Sequence, residues 1–219
     1  MKDHSLKNIV FDLGGVLIDW NPRYLFSEVF DNHDELEHFL TEICSHEWNE
    51  EQDGGRTLEE GTSILVNQFP GYEREIRLFY DQWEKMLGGA IVQNVEIMSS
   101  LVQQGRYRVF ALTNWSAETF PIAVKEYQFL ALFEDILVSG VEKLRKPQPE
   151  IYRLMLDRFN ITARETLFID DNLRNVQAAQ ALEIPSIHLP PGKSLKDELG
   201  KFNIGLEKNE QPGDPGQGI

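Results

Sequence analysis

A single cysteine, Cys44, stands among 219 residues, which excludes an internal disulfide and any multi-cysteine zinc site. Basic residues are scarce as well: 21 Lys plus Arg face 36 Asp plus Glu, a net charge of −15 at pH 7. Nucleic-acid phosphates and anionic membranes both call for clustered Lys and Arg, so neither is an expected partner. No apolar run approaches the length of a membrane span, and the opening Met-Lys-Asp-His-Ser lacks the apolar stretch of a secretory signal. A cytoplasmic location is the expectation. The five histidines show no metal-ligand spacing, and there is no internal repeat. What is present suffices for a packed core: 41% hydrophobic and 11% aromatic residues, in one large domain or a core with a modest insert.

Apolar runs set out the organisation. Asn8-Ile9-Val10-Phe11-Asp12-Leu13 leads straight into Gly14-Gly15, the pattern of a buried strand leaving a sheet. Similar runs recur at Arg108–Thr113, Asp135–Ser139, Thr166–Asp170 and Ser186–Leu189. Helical patterns separate them. Val95, Met98, Leu101 and Val102 share a face that Gly105 ends, Pro149 opens a helix carrying Ile151, Leu154 and Met155, and Val176, Ala179 and Leu182 supply another. This alternation predicts an α/β fold, a Rossmann-like doubly wound parallel sheet with right-handed crossovers. From Asn21 to Ile91 the alternation stops and helical patterns follow one another, among them Leu25, Phe26, Val29, Phe30 and Ile76, Phe79, Trp83, Met86. The expected organisation is a core of residues 1–20 and 92–205, an inserted α-helical cap domain of residues 21–91, and a loose Gly- and Pro-rich tail at 206–219.

Four polar signals fall at the carboxyl ends of the strands, where open parallel sheets bind ligands. They are Asp12, Thr113-Asn114, Lys146-Pro147 and Asp170-Asp171-Asn172. Each alone is ordinary turn or capping chemistry; four in this order suit a reaction. Asp12 would attack an electrophile as a covalent nucleophile. With Asp170 and Asp171 it makes a three-carboxylate cluster that would repel itself without a hard divalent cation. Mg²⁺ suits such oxygens, with a main-chain carbonyl such as that of Gly14, and leaves a position for substrate phosphate. Lys146 would add a second positive charge, Thr113 and nearby amides would donate hydrogen bonds, and Gly14-Gly15 would let the backbone approach the phosphate.

Together, Phe11-Asp12-Leu13-Gly14-Gly15-Val16-Leu17, Leu112-Thr113-Asn114, Lys146-Pro147 and Phe168-Ile169-Asp170-Asp171-Asn172 resemble the four motifs of the haloacid dehalogenase-like superfamily, from about Ile9 to Leu189. The resemblance implies a Rossmann-like core with a helical cap after strand one, as in its subfamily I. The Asp-Leu-Gly-Gly-Val pattern is similar to the glucose-1-phosphate phosphatase-like group. The resemblance makes Asp12 the nucleophile, has Thr113, Asn114 and Lys146 hold the phosphate, and makes Asp171 a metal ligand with Asp170 a ligand or its support. A Mg²⁺-dependent phosphatase of a small phosphorylated metabolite, working through an aspartyl phosphate, is the expectation. One alternative is an (S)-2-haloacid dehalogenase, which uses the same Asp without metal; the carboxylates at 170 and 171 would repel its carboxylate substrate. Another is a catalytically weak phosphate-binding or regulatory homologue.

One departure stands out. Most phosphatases of the superfamily carry a second aspartate, the general acid and base, two residues after the nucleophile, and here that position is Gly14. A sugar 1-phosphate, with its easier leaving group, would suffer less from the loss. His33, His46 and Asp53 are substitutes the cap offers, none favoured over another. Trp83 and Trp115 read as packing residues that also suit a pocket wall. Arg23 suits either a substrate contact or a surface stem, and Trp48–Arg56 either a loop over the site or a plain connection. Cys44 reads as core. Residues 21–91 hold 5 basic against 16 acidic residues, so most of the negative charge belongs to the insert, where a solvated helical surface is the plainer expectation.

Overall fold

The computed structural model describes residues 5–206; the opening residues and the expected tail beyond Leu206 lie outside the described residues. Five strands form one parallel sheet: β1 (Asn8–Phe11), β4 (Arg108–Thr113), β5 (Ile136–Val138), β6 (Thr166–Asp170) and β7 (Ser186–His188), in the order β5-β4-β1-β6-β7. The first strand is central, and chain direction across the sheet reverses between β1 and β6. That is the switch point at which a crevice opens outside the strand ends. The register sets Phe11 opposite both Ala111 and Ile169, so Asp12 comes level with Leu112 and Asp170.

Apolar residues on successive positions of these strands serve opposite faces. Ile9, Phe11, Val109, Ala111, Leu167 and Ile169 join one buried cluster with Met98 and Leu101 of α6 (Val92–Gln104) and Leu195 and Leu199 of α11 (Leu195–Lys201). Val10, Phe110, Leu112 and Phe168 join the other, with Ile151, Tyr152 and Met155 of α9 (Pro149–Arg158) and Ala179 of α10 (Leu173–Ala181). The doubly wound α/β arrangement is therefore present. As the sequence implies, Gly105 ends α6 in the left-handed region, and Pro149 occupies the first turn of α9. Two shorter helices, α7 (Phe120–Glu126) and α8 (Ser139–Glu142), follow β4 and β5.

Residues between β1 and α6 make the excursion. It contains α1 (Arg23–Phe26), α2 (His33–His38), a π-helical turn at Phe39–Ile43, α3 (His46–Asp53), α4 (Leu58–Gln68) and α5 (Glu73–Asp81). Aromatic rings hold these together: Phe26 lies 4.8 Å from Phe39, and Trp48 5.1 Å edge-on to Phe79. Cys44 is buried among them. Two features depart from the sequence reading. A short antiparallel ribbon, β2 (Ile18–Trp20) with β3 (Leu87–Ala90), closes the base of the excursion, where the sequence patterns announce no strand. And Trp48–Arg56, read as an irregular stretch, is mostly the helix α3, which Ser45 caps by accepting from the Trp48 amide. Among the described residues no helix is long and apolar enough to cross a membrane.

Candidate active site

Four of the sequence-predicted residues meet at the β1–β6 switch. Lys146 Nζ lies 2.8 Å from Asp12 Oδ2 and 2.7 Å from Asp170 Oδ2, and donates to Leu112 O at 3.1 Å. Its three donors are thereby spent, with the side chain wholly buried. Asp12 Oδ1 accepts from the Leu13 amide at 2.7 Å, and Asp170 accepts from the Asn172 amide and the Asn175 side chain. Asp12, Asp170 and Asp171 each offer an oxygen within 4.8 Å of the others.

The charge balance of this cluster is telling. Three carboxylates against one ammonium leave two negative charges uncompensated, the deficit one divalent cation balances. Burial pushes the Asp12 carboxyl well above the carboxylate range; Lys146 opposes that, while Asp170 and Asp171 add to it. Asp171 is raised too, by burial and then by Asp170. Lys146 goes the other way for an amine: burial lowers it, but Asp12 and Asp170 outweigh burial and raise it. The donor set, hard oxygens with that deficit, fits Mg²⁺.

Thr113 ends β4 fully buried, with its Oγ1 lacking any partner, a vacancy suited to an anion's oxygen. Asn114 ties its own motif to the next one. Its amide clamps the main chain of Lys146 from both sides, donating to the carbonyl and accepting from the amide N–H, each at 2.9 Å. Gly14 and Gly15 line the cavity above Asp12, and Gly15 runs at φ +69°.

That cavity, of about 520 Å³, is floored by Asp12, Asn114 and Asp171. Trp20, Trp83, Trp115 and Leu173 give it apolar wall, and α3 closes it with His46, Asn49, Glu50 and Asp53. Trp83 and Trp115 do both things the sequence allowed: each is buried, their rings lie 5.3 Å apart, and both face the cavity. Arg23 and His33 are elsewhere; Arg23 forms a forked pair with Glu37 at the surface. Trp20 went unnoticed because β2 is only three residues long. The α3 residues carried a signal that was there to find: positions 46, 49, 50 and 53 follow the i, i+3, i+4, i+7 spacing of one helical face.

Residues 6–183 match the family described as haloacid dehalogenase-like hydrolases. Among similar proteins, the sesquiterpene phosphatase astK of Aspergillus oryzae is 31% identical over 195 residues, 89% of this chain and 95% of that protein. The phosphorylated carbohydrates phosphatase of Thermotoga maritima is 24% identical over 87% of this chain and 90% of its own length. Among solved structures, a HAD family enzyme from Bacteroides thetaiotaomicron in complex with magnesium and inorganic phosphate superposes with a TM-score of 0.68 at 25% identity, covering 88% of this chain and 98% of that one.

Proposed function

The chain belongs to the haloacid dehalogenase-like hydrolase family, and from that membership we propose that it is a Mg²⁺-dependent phosphatase acting on a small phosphate monoester through an aspartyl phosphate at Asp12. The observation that carries the reading is the Asp12–Lys146–Asp170–Asp171 cluster, with its deficit of two charges at the switch point of the sheet. Asp12, Asp171 and the Gly14 carbonyl would hold the cation, with Asp170 as a further ligand or as the anchor of Lys146. Bound there, Mg²⁺ would keep Asp12 ionised and offset charge on the transferring phosphoryl group. Thr113 Oγ1 would donate to a phosphate oxygen, and Lys146, fixed by the Asn114 clamp, would hold Asp12 in position to attack phosphorus. Residues 21–91 would serve as the cap that shuts water out of this step.

The cavity wall moves the preferred substrate away from a sugar 1-phosphate. Three indoles and Leu173 offer apolar and aromatic surface, which suits an isoprenoid-like organic group beside one phosphate. The 31% identity to a protein named a sesquiterpene phosphatase supports the same direction. The test is phosphate release from farnesyl monophosphate and from glucose 1-phosphate, with Mg²⁺ and with EDTA, beside chloride release from 2-chloropropionate. Turnover should require Mg²⁺, favour the prenyl ester by about tenfold or more, the worth of roughly two methylenes of contact, and fall by about a thousandfold or more in Asp12→Asn. Chloride release without metal would put the dehalogenase in its place, and retained Mg²⁺ affinity without turnover would mark a binding protein. A sugar phosphate used better than the prenyl ester would return the substrate to the carbohydrate class.

A further inference from the structure

We propose that Asp53, on the α3 face that closes the cavity, is the general acid and base of the reaction, filling from the cap the role that Gly14 leaves vacant. The inference rests on the phosphatase reading of the Asp12 cluster. It begins from elimination among the titratable side chains of the cavity, which are Asp12, His46, Glu50, Asp53 and Asp171. Asp12 and Asp171 belong to the nucleophile and the cation. Glu50 is held ionised, below the usual carboxylate range, by a hydrogen bond from His46 and by Arg174 at 2.8 Å. His46 is tied to that same Glu50, 3.1 Å away, whose hydrogen bond raises it and engages its ring. Asp53 forms no ion pair among the described residues.

A second observation singles out Asp53. The helical excursion contains a run of polar side chains inside its otherwise apolar core; Arg56 Nη2 and Gln52 Nε2 donate to the Trp48 carbonyl, and the remaining bonds lead to Asp53. Arg56 Nε donates to Gln52 Oε1 at 2.6 Å, and Gln52 Nε2 donates to the Tyr80 hydroxyl at 2.8 Å. Tyr80 donates to Asn49 Oδ1 at 2.9 Å, and Asn49 Nδ2 donates to Asp53 Oδ2 at 3.2 Å. Gln52 is fully buried and Asn49 nearly so. Burying such groups costs stability unless all are satisfied, and an aligned chain polarises itself. This one starts on a guanidinium and delivers its dipoles to a single carboxylate, so it favours negative charge on Asp53 at the moment a proton leaves.

Burial works against that charge and wins in the resting protein. It pushes Asp53 up to about 7, against His46, the Ser116 amide and Arg145, which lower it, and with Glu50, which raises it; Tyr80 is the remaining titratable neighbour. A carboxyl that changes state near neutrality can give a proton and take one back. In the first half-reaction an Asp12 oxygen bonds to phosphorus, the bond to the ester oxygen breaks, and the Asp53 proton passes to that oxygen to give the alcohol. In the second, ionised Asp53 takes a proton from water as the water oxygen bonds to phosphorus. The bond to Asp12 then breaks, inorganic phosphate leaves, and Asp53 is protonated again.

The test is pre-steady-state kinetics of Asp53→Asn, near-isosteric and able to keep the Ser116 contact, on p-nitrophenyl phosphate and farnesyl monophosphate with Mg²⁺. The nitrophenolate leaving group needs no proton. The variant should therefore still release about one equivalent of nitrophenolate per site in a burst, then turn over about 10²–10⁴-fold more slowly than wild type. On the prenyl ester the burst should vanish too. In wild type, kcat/KM for the prenyl ester should fall above about pH 7, and the variant should lose that limb. Steady-state turnover within threefold of wild type, or burst and turnover lost together on the aryl ester, would overturn the assignment; the second outcome is what a merely structural Asp53 gives. Wild-type turnover that survives Asp12→Asn, or its absence on both esters, would instead bring down the phosphatase reading itself, and Asp53 with it.

Discussion

At Gly15 the backbone runs at φ +69°, and a Cβ there would collide with the Asp171 carboxylate; at Gly14, next to it, a Cβ would meet nothing within 4 Å. The two glycines of one motif therefore answer different demands. Gly15 is required by conformation and by the close approach of Asp171, while Gly14 is a missing side chain in open space. Gly15→Ala should destabilise the fold by about 1–2 kcal/mol from the left-handed strain alone and, if Asp171 holds Mg²⁺ as proposed, should weaken its binding by displacing that carboxylate. Gly14→Ala should stay within about 0.5 kcal/mol of wild type, as an unstrained substitution away from packing does. Urea unfolding with and without Mg²⁺ separates the two, and equal losses would refute the distinction. Sequence alone marks Gly14 as the place of the missing second aspartate and offers for Gly15 only freedom for the backbone. What separates them is a side chain 156 positions on, Asp171, which strand pairing alone brings into place.

The α3 helix is fastened across the cavity mouth by contacts to the sheet side of the molecule. Arg145 donates to Glu50 O at 2.8 Å and to Glu51 Oε1 at 2.7 Å, Arg174 holds Glu50, and Ser139 Oγ donates to the main-chain carbonyl of Asp53. Arg145 is mostly buried, so its bond to a helix carbonyl near the C-terminus is shielded from water. Arg145→Ala should release the end of α3: amide exchange over residues 49–56 should quicken by about tenfold or more, the equivalent of one charge-assisted hydrogen bond, while exchange in β1 and β6 stays unchanged. Uniform acceleration across the protein would mean the contact supports the whole fold rather than the closure. Elements of the sheet were legible because strands buried on both faces read as unbroken apolar runs, and their ends fell at the polar motifs. α3 was not. Its polar residues point both outward to solvent and inward to the cavity, and two of its three buried residues, Asn49 and Gln52, are polar, so the apolar period is lost and only the polar spacing of 46, 49, 50 and 53 remains. The ribbon of β2 and β3 was missed for a plainer reason, since three or four residues carry no period at all.

Over the whole molecule the charge of −15 has a definite arrangement. Most acidic side chains of residues 21–91 are exposed on the outer faces of their helices, and only Glu50 and Asp53 reach the cavity. Glu50 is matched there by His46 and Arg174, and Asp53 is held near neutrality by burial. With a divalent cation on the Asp12, Asp170 and Asp171 cluster, the cavity would be less hostile to phosphate than the surface around it. An anionic substrate must first cross the field of the outer helices, which acts over about 10 Å at 0.1 M salt. Screening should therefore help: between 10 and 200 mM KCl at saturating Mg²⁺, kcat/KM for a phosphate monoester should rise by a few-fold, at the low end of the range by which protein fields alter on-rates. A diphosphate of the same alcohol, carrying more charge, should gain more steeply, and kcat for both should stay flat because it excludes the encounter step. A kcat/KM that falls with salt would place the governing field at Lys146, Arg174 and the bound cation instead. Repulsion by the outer helices would then have no bearing on which phosphates enter.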